Sequence, residues 1–190
     1  MSDTAHHFLL KNSKEKNLAL HKIIKLNGQI DIPKQKVDSA FEFLFKTCVG
    51  QQLSAKAAAS IWSRVLDLSQ LIGGSLSALA EKKYSSQLRS CGLSNNKVRS
   101  ILELKQRFEE EPGFSSDIHS ADYKGVIDLI CSNWGFGVWS ADMCAIFFCG
   151  LQNVFPSGDV AINNGLRSLR EHNAELDADF DFCSPYKSYL

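Results

Sequence analysis

The chain has 190 residues and a mass of 21.1 kDa, enough for one sizeable core or two small lobes around a shared cleft, but too few for several independent domains. Its 44% hydrophobic and 22% charged residues exclude wholesale disorder and fibrous repeats. Lysine and arginine together number 21, as do aspartate and glutamate, and this zero net charge argues against a generic nucleic-acid binder.

Charge is distributed unevenly along this neutral chain. Residues 11–36 contain seven lysines against Glu15 and Asp31, whereas residues 171–181 contain five acidic residues and no lysine or arginine. Two interpretations stay open: a polarised surface that presents one basic face to phosphates, or two solvated faces with no partner.

Membrane insertion and secretion are not predicted. The longest apolar stretches, such as residues 145–149, are far too short to cross a bilayer. The first apolar residues, 5–10, are followed at once by lysines and lack the long apolar region of a signal peptide. We therefore expect an intracellular protein.

Cysteine usage agrees with a reducing compartment. Six cysteines are scattered through apolar segments without a C-x-x-C pair, so they are interpreted as small core residues rather than as disulfides or metal ligands. No metal site built from a side-chain cluster is expected. The six are Cys48, Cys91, Cys131, Cys144, Cys149 and Cys183.

Apolar residues recur at helical spacing along the whole chain, which predicts an all-α fold. A first helix is predicted over Lys14–Leu26, with Gly28 as its stop. After the break at Pro33, Asp38 and Ser39 are expected to cap a very apolar helix that ends at Gly50. Residues 1–37 are therefore predicted to be a basic segment with one helix, part of the same fold as residues 38–190.

Further helices follow at regular intervals. Ser54 is expected to cap a helix over Ala55–Leu68, and Leu76–Leu88 to form one or two short helices. Ser94 opens a predicted helix that reaches Phe108. Two apolar helices, residues 122–131 and 138–149, are then separated by a short segment that contains glycine. This pair is a candidate helix-hairpin-helix.

The connection between these two helices has the composition of an anion site. Gly135 and Gly137 flank Phe136, and glycine permits a tight turn with positive φ that leaves backbone amides uncovered. The free N–H groups at the start of the next helix would bind a DNA phosphate without reading sequence. Phe136 would fill the gap between the helices. The alternative is an ordinary tight turn.

One loop carboxylate follows at a fixed distance. Asp159 ends the segment Phe-Pro-Ser-Gly-Asp and lies 20 residues after Trp139. A carboxylate there could stabilise the positive charge that develops on a sugar when its glycosidic bond breaks. Alternatively, Asp159 is simply the N-cap of a helix over Val160–Arg170.

The run Gly135-Phe-Gly-Val-Trp-Ser-Ala-Asp-Met143, together with Asp159, resembles the hairpin–Gly/Pro–Asp motif of the helix-hairpin-helix DNA glycosylase superfamily. The resemblance is closest to its alkylation-repair branch, the 3-methyladenine DNA glycosylases. Three further segments resemble that branch, and together the four cover roughly residues 40–190. They are Gly50-Gln51-Gln52-Leu53-Ser54 with the helix before it, Gly92-Leu93-Ser94 with Lys97, and Pro185-Tyr186-Lys187-Ser188-Tyr189.

The resemblance implies two helical lobes around a central cleft and a monofunctional N-glycosylase that flips alkylated purines out of double-stranded DNA. Asp159 would be the catalytic carboxylate. No cofactor would be required, apart from a monovalent cation that could sit at the hairpin. The protein would be a monomer with no membrane partner, in the cytoplasm of a prokaryote or the nucleus of a eukaryote.

Position 139 distinguishes branches of this superfamily. Members that also cut the DNA backbone carry a lysine there, because an amine is needed for the Schiff base. Trp139 cannot serve, so base removal without strand cleavage is expected. Trp139 would stack on the flipped base or brace the hairpin from the core.

Other site residues follow from the same resemblance. The phosphate-binding hairpin would comprise Gly135, Phe136, Gly137, Trp139 and Ser140. The base pocket or the gap left in the DNA would involve Trp139, Gln51, Gln52 and Met143, although the two glutamines could merely cap helix ends.

Three residues outside these sets are also singled out. Asp142 is expected in the first turn of its helix, for dipole reasons, and Leu71 or Ile72 could wedge into DNA. The family's final helix would begin where the sequence ends at Leu190. The alternative function is therefore a non-catalytic DNA-binding protein with an incomplete pocket.

Overall fold

The computed structural model describes residues 2–33, 39–172 and 180–190, and these contain helices and loops but no strand. The predicted all-α class is confirmed. The helices are α1 Ser2–Lys16, α2 Leu18–Asn27, α3 Ala40–Gly50, α4 Ala55–Leu71, α5 Leu76–Leu79, α6 Ser85–Ser90, α7 Asn95–Glu110, α8 Phe114–Ser120, α9 Tyr123–Cys131, α10 Val138–Phe147 and α11 Val160–His172, with short 3₁₀ turns at Lys82–Tyr84, Asp181–Cys183 and Lys187–Tyr189.

Several helices begin where a capping side chain predicts. Ser39, Ser54 and Ser94 each accept a hydrogen bond from the backbone N–H three residues later, at 3.2–3.3 Å. Asp122 does the same for α9 at 2.8 Å. Because these caps satisfy amides that have no partner inside the helix, they fix the starts of α3, α4, α7 and α9.

The single helix predicted over Lys14–Leu26 is wrong. The chain forms α1 and α2 instead, interrupted at Asn17, whose Oδ1 accepts a hydrogen bond from Leu20 N at 2.9 Å. An asparagine side chain competes with the helical backbone in this way, so it starts a new helix rather than continuing the old one. Gly28, at φ 70°, ends α2 as predicted.

A second difference is α8, which the sequence pattern did not indicate. It follows Pro112 and Gly113 directly, and its seven residues are too few to show a helical period. Phe114 and Ile118, four residues apart, are both fully buried and hold it in place.

The described chain divides into two compact units, Gln35–Cys144 and Met1–Lys34 together with Ala145–Leu190. In the first, α3 packs against α4, α5, α7 and α8, and Phe45 is fully buried. Its ring lies edge-on to Phe41 and Trp62, and a second chain of edge contacts runs from Phe41 through Phe108 to Phe114. These aromatic contacts anchor α7, the helix against which the candidate site is built.

The second unit has a smaller core. α1 packs on α2, and the terminal segment after residue 180 packs on α1. The rings of Phe8 and Tyr186 lie 5.2 Å apart, as do those of Phe155 and Phe180. The buried centre of this core consists of Leu9, Leu20, Ile24, Phe180 and Cys183.

All six cysteines are free thiols. Cys48, Cys91, Cys144 and Cys183 are buried, and the other two are half-buried, as predicted for small core residues. Burial raises the pKa of the Cys48 thiol to about 11 and raises the pKa of Cys91 as well.

Three sequence predictions fall partly outside the described residues. The boundary between residues 37 and 38 and the capping role of Asp38 lie in the gap 34–38, and most of the acidic run lies in the gap 173–179. None of the described helices is long and apolar enough to span a membrane. Over the same ranges, no three metal-ligating side chains come together.

Candidate functional site

The turn between α9 and α10 is fixed at both ends by hydrogen bonds. Asn133 Nδ2 donates to the carbonyls of Leu129 and Ile130 at 2.8 and 3.2 Å, which closes the end of α9. Phe136 N donates to Asn133 O at 3.1 Å across the turn. Gly137 O accepts from the amides of Ser140 and Ala141, at 2.9 and 3.1 Å, and so begins α10. The predicted helix-hairpin-helix is therefore present.

The two glycines of the turn do different things. Gly135 has φ 82°, and a Cβ built on it would lie 2.0 Å from Ser100 Oγ, so both its conformation and its contact with α7 require glycine. Gly137 is not in the left-handed region, and a Cβ on it would meet no atom of the described residues within 4 Å. The expectation of positive φ is thus confirmed for Gly135 and wrong for Gly137, which instead leaves open space beside the first turn of α10.

Side chains behind the turn support it from inside. Phe136 is 5% exposed and Ser140 is 1% exposed. Gln51 Nε2 donates to Gly135 O and to Ser140 Oγ, both at 3.0 Å. The Gln51 amide therefore links the end of α3 to the hairpin, whereas Gln52, at φ 56°, is exposed.

Lys97 completes this support. Its Nζ donates to Val49 O and Gln51 O, both at 2.8 Å, so the ammonium provides hydrogen-bond donors for two carbonyls at the end of α3. Burial lowers the pKa of Lys97. Two segments singled out in the sequence, around Gln51 and around Lys97, thus meet at the end of α3, and Gln51 extends the contact to the hairpin.

The remaining predicted residues of α10 lie deeper or further along the helix. Trp139 and Met143 are both half-buried. Asp142 is not in the first turn as expected; it lies in the second turn, is 2% exposed, and accepts a hydrogen bond from Tyr123 Oη at 2.7 Å. It therefore ties α9 to α10 rather than facing the helix dipole at the surface.

The pKa values of Asp142 and Tyr123 are both shifted from their ordinary values. Burial raises the pKa of Asp142, and the hydrogen bond from Tyr123 partly opposes the rise. Burial, together with the neighbouring carboxylate, raises the pKa of Tyr123 to about 12. Both shifts favour the protonated forms in the folded protein.

Asp159 lies in the other unit, at the head of α11. Its Oδ1 accepts hydrogen bonds from the amides of Ala161 and Ile162, at 2.8 and 3.0 Å, so the N-cap interpretation is confirmed. Its own amide donates to Pro156 O at 2.9 Å. The carboxylate is half-buried and held in one orientation by the backbone. Capping orients a carboxylate without removing its charge, so it is compatible with a role in chemistry.

The terminal segment around Ser188 fixes the chain just before this loop. Ser188 Oγ accepts from Val154 N at 2.9 Å and lies 2.9 and 3.1 Å from the carbonyls of Leu151 and Val154. Ser188 N donates to Gln152 O at 2.9 Å. The sequence motif around Ser188 was recognised by resemblance, but its role in anchoring the loop that leads to Asp159 was not predicted.

The candidate DNA wedge is only partly supported by exposure. Leu71, at the end of α4, is 84% exposed, whereas Ile72 is half-buried. Of the two, only Leu71 presents its side chain freely. Its role stays a prediction.

An all-helical chain with a glycine hairpin between two helices and a capping aspartate on the loop after them has the architecture of a helix-hairpin-helix protein. Residues 45–180 match the HhH-GPD superfamily of base excision DNA repair proteins. The chain belongs to that family.

Two individual relatives share about a quarter of their residues with this chain. The chain is 26% identical over 160 residues to DNA-3-methyladenine glycosylase 1 of Schizosaccharomyces pombe, covering 78% of this chain and 66% of that protein. It is 26% identical over 183 residues to DNA-3-methyladenine glycosylase of Saccharomyces cerevisiae, covering 87% of this chain and 60% of the relative. The chain thus spans 60–66% of the length of these two relatives.

A solved structure shares the fold. The Schizosaccharomyces pombe 3-methyladenine DNA glycosylase in complex with abasic DNA superposes with a TM-score of 0.79 at 21% identity, covering 98% of this chain and 92% of that one. At this identity the likeness establishes the fold.

The contrast between the two glycines gives a stability test. We expect Gly135→Ala to lower the free energy of unfolding by about 2–4 kcal/mol, because it combines a left-handed backbone with a clash at Ser100. Gly137→Ala should lower it by about 1 kcal/mol at most, because no described atom lies near the added methyl group and only the preference for glycine over alanine at a helix N-cap is lost. Urea unfolding of both variants measures the difference. Equal effects would contradict the described packing.

The pKa shift of Asp142 gives a second test. Because the folded pKa is raised, the folded state binds more protons, and stability falls as pH rises from the unfolded value near 4 through the folded pKa. Asp142→Asn keeps an acceptor for Tyr123 and removes the buried charge. The variant should therefore be at least as stable as the wild type at pH 7 and lose that advantage by pH 4. Denaturant unfolding at both pH values checks this, and a variant less stable at pH 7 would contradict it.

Proposed function

We propose that the chain is a monofunctional DNA N-glycosylase that excises alkylated purines, of the 3-methyladenine type, in base excision repair. The observation that carries the proposal is the oriented carboxylate of Asp159 in a chain of the HhH-GPD family. The names of the two yeast relatives support the substrate class.

DNA would be bound through its backbone at the hairpin. Gly137 leaves the start of α10 uncovered, and amides at a helix N-terminus bind a phosphate without reading sequence. Gln51 holds this turn against the end of α3, so the amides are positioned before DNA arrives. A fixed donor geometry avoids the cost of ordering the turn on binding.

Asp159 would act on the sugar. Breaking the bond between the base nitrogen and C1′ leaves the electron pair on the base and positive charge on the sugar, which water then attacks. An alkylated purine already carries positive charge and is a good leaving group. An anion about 4 Å from the sugar stabilises the cation by about 4 kcal/mol at an effective dielectric constant near 20, roughly a thousandfold in rate.

The chemistry would stop at base removal. Trp139 occupies the position from which a lysine would attack the exposed sugar, and an indole cannot form a Schiff base. No cofactor would be required, apart from a monovalent cation that could sit at the hairpin. The protein would act as a monomer on double-stranded DNA, in the cytoplasm of a prokaryote or the nucleus of a eukaryote.

Asp159→Asn tests the carboxylate without breaking the cap. Asparagine caps a helix as well as aspartate does, so α11 should stay folded while base release falls about a thousandfold. The measurement is free 3- or 7-methylated purine released from alkylated DNA, identified by mass spectrometry. Asp122→Asn, the same substitution at the N-cap of α9, is the matched control and should retain activity.

Three outcomes would contradict the proposal. If the wild type binds DNA but releases no base, the non-catalytic DNA-binding alternative is correct. If both asparagine variants lose activity equally, Asp159 acts only as a cap. If borohydride traps a covalent complex with DNA, the enzyme is a lyase and the interpretation of Trp139 is wrong.

A further inference from the structure

An exposed tryptophan lies on the hairpin itself, immediately before Gly135. Trp134 is 39% exposed, and the guanidinium of Arg99 lies over its ring, 4.0 Å from the centroid. Arg99 belongs to α7, the helix whose next residue, Ser100, lies against Gly135. A charged group is therefore carried on the outer face of the phosphate-binding turn.

The guanidinium is held in one orientation from two sides. The Trp134 ring lies beneath its central carbon, and Arg99 Nε donates to Glu103 Oε1 at 2.7 Å. Within the described ranges, its two terminal nitrogens have no protein acceptor, and the side chain is 58% exposed. Those nitrogens form the edge of the fork that binds a phosphate with two parallel hydrogen bonds.

A second arginine of α7, Arg107, also reaches the hairpin, but its partners differ from those of Arg99. Arg107 Nη1 donates to Ser132 Oγ at 3.0 Å, its other groups bind Glu111, and it lies over Phe114. Its side chain is 28% exposed. Arg107 is thus used inside the fold, whereas Arg99 faces solvent beside the turn.

We propose that Arg99, stacked on Trp134, is a second DNA phosphate contact next to the hairpin. The proposal rests on the function given above, since it assumes that the hairpin binds DNA. Trp134 is the residue next to Gly135, so Arg99 lies beside the turn, where it would meet a second phosphate of the DNA held by the hairpin.

The position of Glu103 makes the contact tunable. Its carboxylate binds Arg99 Nε. Being negative, it would also repel a phosphate bound at the two terminal nitrogens of Arg99. If Arg99 only stabilises the fold, removing the Glu103 charge weakens the ion pair and leaves DNA affinity unchanged. A phosphate contact predicts tighter DNA binding when the charge is removed and the acceptor is kept.

The experiment measures the dissociation constant of the full chain for an undamaged 20-base-pair duplex over a series of salt concentrations. Each phosphate contact contributes about 0.9 to the slope of log affinity against log salt. Arg99→Gln should reduce the magnitude of this slope by about 0.9, and Arg99→Lys should leave it unchanged. Trp134→Leu should lower DNA affinity several-fold. Glu103→Gln should raise affinity several-fold at low salt.

Lys83→Gln is the matched control. Lys83 pairs with Glu81 at 2.7 Å and lies 5.0 Å from the centre of the Tyr84 ring. It therefore combines a cation, a carboxylate and an aromatic ring, as Arg99 does, but outside the hairpin. Its loss should leave the slope unchanged. Thermal unfolding of each variant separates loss of fold from loss of contact.

An unchanged slope in Arg99→Gln, or a drop as large in Lys83→Gln, would overturn the contact while leaving the glycosylase proposal intact. Failure of the wild type to bind the duplex would overturn both proposals. Wild-type protein that binds DNA with the predicted slopes but releases no base would support the Arg99 contact and overturn the glycosylase activity alone.

Discussion

The contact of Gly135 with Ser100 leaves no room for even one methyl group, and the candidate DNA-binding surface depends on it. The hairpin backbone reaches α7 directly, so the turn is positioned by a helix that the aromatic core already fixes. Gln51, at the end of α3, binds the turn, and Lys97 binds carbonyls at that same end of α3. Hydrogen bonds act over short distances, so the bonds from Gln51 Nε2 to Gly135 O and Ser140 Oγ require the turn to lie this close.

The aspartate of the second unit combines two tasks that sequence reasoning treats as alternatives. Asp159 caps α11 through Oδ1, and the same hydrogen bonds fix the direction of its carboxylate. In the proposed reaction a charge must be in place before the sugar cation forms, because reorganising it during the reaction would cost free energy. The capping geometry meets that requirement with backbone groups alone.

Local chemistry made much of the fold predictable. The serine caps at Ser39, Ser54 and Ser94 depend on residues three apart, and each helix begins where its cap indicates. The break at Asn17 was missed because an asparagine within an apolar pattern looks like a surface residue until its side chain is seen to bind Leu20 N. The burial of Asp142 was missed for a different reason, since its partner Tyr123 is 19 residues away.

The site was less predictable than the helices. Gly135 and Gly137 look equivalent in sequence, and only the backbone conformation and the position of Ser100 distinguish them. The pairing of Arg99 with Trp134 depends on how α7 crosses the hairpin, which no local pattern encodes. The motifs around Gln51, Lys97 and Ser188 were recognisable by resemblance, but what each side chain binds became clear only from the contacts.

Burial of the cysteines has a chemical consequence for a protein proposed to work on alkylated DNA. Methylating agents that damage DNA also attack thiolates, because the ionised sulfur is the nucleophile. With a pKa of about 11, Cys48 is ionised in about one molecule in ten thousand near neutral pH, and burial raises the pKa of Cys91 and Cys131 too. Protonation therefore protects these sulfur atoms from the electrophiles whose products the enzyme would remove.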